Sequence, residues 1–160
     1  MKITLDFLKE KQACQSGVDW CVENKLIDLD ATDFLRGLAK GNKYQWANWL
    51  IVRVMTRQKY LAYSIFAAEQ VLDIYEKKYP DNKKPREAIE AAKKVLENDT
   101  PENRKAAAAA AADAAYAYSA DAAYAAAYAA TYADAAYAAA ARKEMQERIL
   151  EYGLSLLVKE

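Results

Sequence analysis

Between positions 106 and 141 the chain reads AAAAAAADAAYAYSADAAYAAAYAATYADAAYAAAA, where 25 of 36 residues are alanine. Alanine has the highest intrinsic helix propensity, and the tract contains neither glycine nor proline, so a helix is expected rather than disorder. A membrane span is disfavoured. Asp113, Asp121 and Asp134 recur through the tract, and alanine is too weakly hydrophobic to offset buried carboxylates. An ice-binding rod would need regularly spaced threonines, and the tract has one, Thr131.

The spacing within the tract suggests what the methyl groups are for. Positions 108, 115, 122, 129 and 136 are alanine, and so are 112, 126, 133 and 140, with Ser119 the departure from the pattern. On a helix these positions form a narrow seam that lets a second backbone approach closely. Close approach supplies dispersion contacts that a bare alanine face lacks in water. The seam can be filled by helices of the same chain or by the seam of a second copy, so a homodimer is one expectation. Tyr124, Tyr128 and Tyr132 fall four apart on another face beside Asp121, flanked by Tyr116 and Tyr137. They would close a core over neighbouring helices, or form a recognition strip for a protein partner.

The rest of the 160-residue chain fits the same picture. Four glycines and three prolines are too few for a turn-rich β architecture. The expected fold is all-α: a single helical domain, 1–160, with antiparallel helices packed on a long Ala/Tyr-rich C-terminal helix. Its parts are an N-terminal helical segment (1–41), central helices (42–98) and the long helix (101–158). If unbroken from Pro101 to Gly153, that helix would be about 80 Å long at 1.5 Å per residue.

Helix boundaries can be read from local chemistry. Gly17 is expected to divide a short helix from the next turn, and Cys14 and Cys21 to be buried free thiols. Asp30 reads as an N-cap with Asp33 in the acidic first turn, and Gly41 as the helix stop. KYQWANWLIVRVM places Trp46, Trp49, Leu50 and Val54 at helical spacing, and Thr56 marks a break. Leu61, Ile65, Ala68, Leu72 and Tyr75 then form an apolar stripe on a helix of about five to six turns. Pro80 ends it, Pro85 and Glu87 open the next helix, and Glu90 pairs with Lys94. Thr100, Pro101 and Glu102 open the last helix.

Charge and composition exclude several functions. Lysine plus arginine equals aspartate plus glutamate, 23 each. A general nucleic-acid binder needs a marked basic excess, so nucleic acid is not an expected partner. The cluster Lys40, Lys43, Arg53, Arg57 and Lys59 reads as a solvated face. Histidine is absent, which removes Cys/His zinc sites, the Ser/His triad and the Cys/His dyad. MKITLDFLKEK lacks the apolar stretch and cleavage site of a secretory signal, so a cytoplasmic location, without membrane or cofactor, is expected.

One segment carries a resemblance. In EKKYPDNKKPREAIEAAKKV, the residues Glu76, Tyr79, Pro80, Asp81, Pro85, Arg86, Ala88, Ile89, Glu90 and Ala91 match a signature that precedes an alanine-rich helical region. The chain thereby resembles the putative immunity protein family of bacteria and bacteriophages, and FLKEKQACQSGVDW resembles an N-terminal segment of phage-encoded relatives. The resemblance implies an all-helical fold and a role in conflict between microbes, or between phage and host, in a bacterial cell or phage-infected host. Lys84 departs from the pattern, which has arginine there, and loses planar two-pronged hydrogen bonding. The signature itself can be structural: Pro80 stops a helix, Asp81 bonds loop donors, Pro85 starts a helix, and Arg86 reaches Asp81, Glu90 or the preceding helix end.

Two functions compete. The first is a non-catalytic inhibitor of immunity or phage counter-defence type that binds a protein partner, through Tyr124, Tyr128, Tyr132 and Asp121 or through the face bearing Arg53 and Arg57. The second is a protein that binds or sequesters a nucleotide or other anionic signal. Arg53, Arg57, Lys84 and Arg86 would supply its charge and Trp46 or Trp49 its stacking surface. An enzyme is not expected. Carboxylate pairs such as Glu76 with Asp81 are commonplace in helical proteins, and no nucleophile motif accompanies them.

Overall fold

The computed structural model describes residues 1–110 and 135–158. Every regular element among them is an α-helix: α1 Leu5–Glu10, α2 Gln15–Glu23, α3 Ala31–Lys40, α4 Tyr44–Val54, α5 Arg57–Lys78, α6 Lys84–Glu97, α7 over 101–110 and α8 Ala135–Val158. The fold class is all-α, as composition and the alanine tract require. The chain divides into two compact units, Met1–Tyr60 with Gln146–Glu160, and Leu61–Met145. Tyr124, Tyr128, Tyr132, Asp121, most of the methyl seam and the continuity of the last helix lie outside the described residues.

The first unit is built from short helices with sharp stops. Three of them end alike, on a residue in left-handed backbone: Gln12 after α1 (φ 58), Lys25 after α2 (φ 57) and Asn42 after α3 (φ 56). In each case the next amide reaches back to the last turn, Ala13 to Leu8 O, Leu26 to Cys21 O and Lys43 to Leu38 O, at 2.8–2.9 Å. This is the 6→1 closure that satisfies orphan helix carbonyls, and glycine is its usual left-handed residue. Here none of the three is glycine, so each stop carries a local backbone cost of about 1–2 kcal/mol that packing must offset.

Gly41 stands at the C-cap of α3, the helix end expected of it, while the other glycines lie inside helices. Gly41 has ordinary helical-side backbone (φ −80) at the C-cap of α3, and a Cβ there would overlap the indole of Trp20. Gly17 lies in the first turn of α2 rather than between helices, and the break falls at Gln12. Gly37 leaves room for Leu26, whose Cδ2 would stand 2.5 Å from any Cβ. Gly153 lies inside α8 and is buried, so it does not end the helix. Beside Gly17, Gly37 and Gly41 the space is taken by a side chain from outside the helix, Trp46, Leu26 and Trp20 in turn, which local propensity cannot anticipate.

The N-terminus is tied into the same unit. Ile3, fully buried, donates to Leu29 O and accepts from Asp28 N, both at 2.9 Å. Asp30 precedes α3 as expected, but its side chain makes no cap hydrogen bond and lies 3.6 Å from the Met1 ammonium. The buried side chains of this unit include Ile3, Leu8, Phe34, Leu35, Leu38, Leu50 and Ile51. Leu150 and Leu154 of α8 are also buried. The Tyr44 hydroxyl donates to Glu147 Oε1 at 2.7 Å, joining α4 to α8.

The second unit contains an antiparallel helix pair. The break before it falls at Met55 (ψ 147) and Thr56, where the stripe reading placed it. Ile65 and Leu72 of α5 pack on Ile89 of α6, with Leu61, Ala68, Ala92 and Leu96 around them. Lys93 bridges to Glu69 and Arg86 to Glu76, so partners descend α6 as they ascend α5. At the far end Thr100 Oγ1 accepts from Asn103 N at 3.1 Å, capping α7 as its sequence predicts. Asn103 Nδ2 donates to Asn98 O at 2.8 Å, closing the end of α6.

Candidate functional site

In the first unit, α2, α3, α4 and the end of α1 converge on a cavity of about 270 Å³. Its floor is apolar and buried: Leu8, Val18, Cys21, Phe34, Leu38 and Leu50. Gln12, Cys14 and Gln45 stand exposed at its rim, and the half-buried indoles of Trp46 and Trp49 form its walls. Among the described residues, no aspartate, glutamate, lysine or arginine lines it.

The walls are held by contacts on neighbouring turns. At Gly17 an added Cβ would stand 3.7 Å from the Trp46 indole and 3.2 Å from Cys14 Sγ, so the missing side chain lets the ring lie against α2. Trp20 meets Trp46 edge-on, with ring centres 5.9 Å apart. The Lys43 ammonium lies 4.9 Å from the Trp46 ring centre and 5.5 Å from that of Trp20. Trp49 carries the Arg53 guanidinium 4.0 Å from its ring centre, and Arg53 Nη1 donates to Trp49 O at 2.7 Å. Such cation–π contacts fix ring orientation as well as adding attraction.

Both cysteines face this cavity, and only one is buried, which corrects the expectation for Cys14. Cys14 is the exposed N-cap of α2, while Cys21 lies one helix segment further in and is buried. Burial, with a smaller contribution from Cys14, pushes the Cys21 thiol up to about 11. It is therefore a neutral, unreactive group at ordinary pH. Seven helical residues separate the two by about 10 Å, beyond the reach of a disulfide.

In the second unit the signature segment forms a clamp. Arg86 donates from Nε to Glu76 Oε1 at 2.7 Å and from Nη2 to Oε2 at 2.5 Å, fastening α6 to the end of α5. Its partner is thus on the preceding helix, one of the three options the sequence left open. The hydrogen bonds from Arg86 hold the Glu76 carboxyl below its ordinary value, and the same bonds raise the arginine further. In the loop between the helices, Asn82 rather than Asp81 supplies the bridging contacts. It donates to the Tyr75 hydroxyl at 2.8 Å and accepts from Lys84 N at 3.1 Å. Lys84 faces Glu87 at 3.7 Å. Glu90 pairs with Lys93 at 2.9 Å, one position short of the expected Lys94.

The residues singled out from sequence therefore separate. Trp46 and Arg53 belong to the first unit with Arg57, the first residue of α5, while Lys84 and Arg86 belong to the second. Trp46 and Trp49 both line the cavity. Gln45 joins them from the same helix, whereas Gln12, Cys14, Cys21 and Phe34 do so only because other parts of the chain meet α4 there. No single helix pattern announces that meeting.

A family model for Imm-5 like putative immunity proteins matches residues 51–153, which include the Glu76–Arg86 clamp. The chain belongs to this family. The described residues that line the cavity of the first unit, Leu8 to Leu50, precede the matched span of this Imm-5 like chain. No curated protein and no solved structure matches the chain. Among the described residues, no helix is long and apolar enough to cross a membrane.

Proposed function

We propose that this Imm-5 like chain is a non-catalytic inhibitor of immunity type that acts by binding a protein partner in a bacterial cell or phage-infected host. The family match over residues 51–153 carries this reading. Within that span the clamp between α5 and α6 consumes both oxygens of Glu76 and the fork of Arg86 in holding two helices together. That is what a rigid binding scaffold requires of its polar side chains. The tyrosine strip, Tyr124, Tyr128 and Tyr132 with Asp121, is the proposed contact surface because tyrosine supplies contact area at low entropic cost.

The test is co-purification of the tagged full chain from phage-infected bacteria, followed by size exclusion with light scattering. A single protein in stoichiometric complex, lost on Tyr124→Ala with Tyr128→Ala while the helical circular dichroism persists, is the expected result. A chain that elutes without any partner from every host tested overturns the reading. A self-complex that survives the double substitution assigns the surface to homodimerisation instead.

A second reading, small-ligand binding, is favoured by one observation: the open, tryptophan-walled cavity of the first unit.

A further inference from the structure

We infer that the cavity among α1–α4 is a binding site for a neutral, planar heteroaromatic molecule of about two fused rings. This rests on the small-ligand reading and narrows it, because the chemistry of the lining excludes the anionic ligands that the sequence brought to mind.

Volume sets the size of the ligand. A dry apolar cavity of about 150 Å³ admits a benzene ring, and this one offers about 270 Å³. That is enough for a bicyclic ring system and falls short of a nucleoside triphosphate. Charge sets its ionisation. With no Asp, Glu, Lys or Arg among the described lining residues and the Cys21 thiol buried, an anion or cation inside would be desolvated without a partner of opposite charge, which is strongly unfavourable. The nearby cations are occupied, Lys43 over Trp46 and Trp20, and Arg53 over Trp49 and bonded to its carbonyl.

Shape and polarity set the rest. Trp46 and Trp49, three residues apart on α4, present indole surfaces to the same space, and aromatic rings pack on such surfaces in offset or edge-on geometry. Gln12 and Gln45 stand exposed at the rim, and no other described residue engages either side-chain amide. Each carries a donor and an acceptor. They suit a ring edge bearing both an N–H and a ring nitrogen or carbonyl. A plain hydrocarbon would fill the floor and leave this rim chemistry unused.

Benzimidazole serves as the probe, and benzimidazole-5-carboxylate as its anionic counterpart. The indole N–H resonances of Trp20, Trp46 and Trp49 provide a readout by nuclear magnetic resonance on the full-length chain. Benzimidazole is expected to move the Trp46 and Trp49 signals in a saturable manner. The carboxylate should bind about tenfold more weakly or worse, because its charge would be desolvated without a partner. Cys14→Phe, at the exposed rim, should occlude the cavity and abolish the response; Gln45→Ala, which keeps the cavity open, should weaken it.

Equal binding of the carboxylate overturns the neutral-ligand assignment. A response to nucleotides that leaves Trp46 and Trp49 unmoved, or survives Cys14→Phe, overturns the cavity assignment while the small-ligand reading stands. No response to benzimidazole, its carboxylate or nucleotides at millimolar concentration overturns both.

Discussion

Raising the pH from 8 to 11 should weaken the first unit by about 3 kcal/mol, because it contains two buried acids that resist ionisation. Burial pushes the Cys21 thiol to about 11 from an ordinary 9.0, and the Tyr44 phenol to about 12 from 10.0, the latter aided by its hydrogen bond to Glu147. A folded-state value above the unfolded one means that the native state prefers the protonated form. That preference contributes its full stability below about pH 9 and is lost as pH rises through 9 to 12. At pH 11 the loss is about 2 kcal/mol for Cys21 and about 1 kcal/mol for Tyr44, each tenfold in proton affinity being about 1.4 kcal/mol.

The assay is urea unfolding followed by tryptophan emission, which reports this unit because Trp20, Trp46 and Trp49 all lie in it. With a slope of about 1 kcal/mol per molar urea, typical of a small unit, the midpoint should fall by about 3 M between pH 8 and 11. Cys21→Val removes the thiol and should recover about 2 M of that loss, separating it from the general effect of lysine deprotonation. A midpoint that holds to pH 11, or a Cys21→Val chain that loses as much as its parent, refutes the reasoning. A thiol reagent at pH 8 gives a second check. It should label Cys14 at once and Cys21 only on unfolding.

Three further substitutions probe other parts of the fold. Gly41→Ala should destabilise the first unit by about 1–3 kcal/mol through overlap with the Trp20 ring, whereas Asn42→Gly at φ 56 should be neutral or slightly stabilising; urea midpoints read by tryptophan emission distinguish them. Arg86→Lys keeps the charge but loses the two-pronged bond to Glu76. It should lower the thermal midpoint followed by circular dichroism. The lowered Glu76 carboxyl contributes stability that is lost as pH falls through its folded value, so the substituted chain should also show a shallower acid-side decline.

The stripe Leu61, Ile65, Ala68 and Leu72 was legible because its partners lie on the next helix, joined by a short loop whose prolines and polar residues fix the reversal. Thr100 was legible for the same reason, since an N-cap acts within three residues. Gly17 was not, because the Trp46 ring that lies beside it comes from another helix. The cavity was half legible: Trp46 and Trp49 stand out on α4, with Gln45 beside them, while Gln12, Cys14, Cys21 and Phe34 reach it from other parts of the chain.

Sequence alone determined the all-α class, the breaks at Thr56 and Pro80, and the family signature, because helix propensity, proline geometry and apolar periodicity act over a few residues. Tertiary structure decided which side chains meet. It turned Arg86 towards Glu76, left Cys14 exposed and buried Cys21, and placed the stops of α1, α2 and α3 on Gln12, Lys25 and Asn42. Those outcomes depend on contacts and burial that span many residues, and local preference yields where packing gains more than a strained backbone costs.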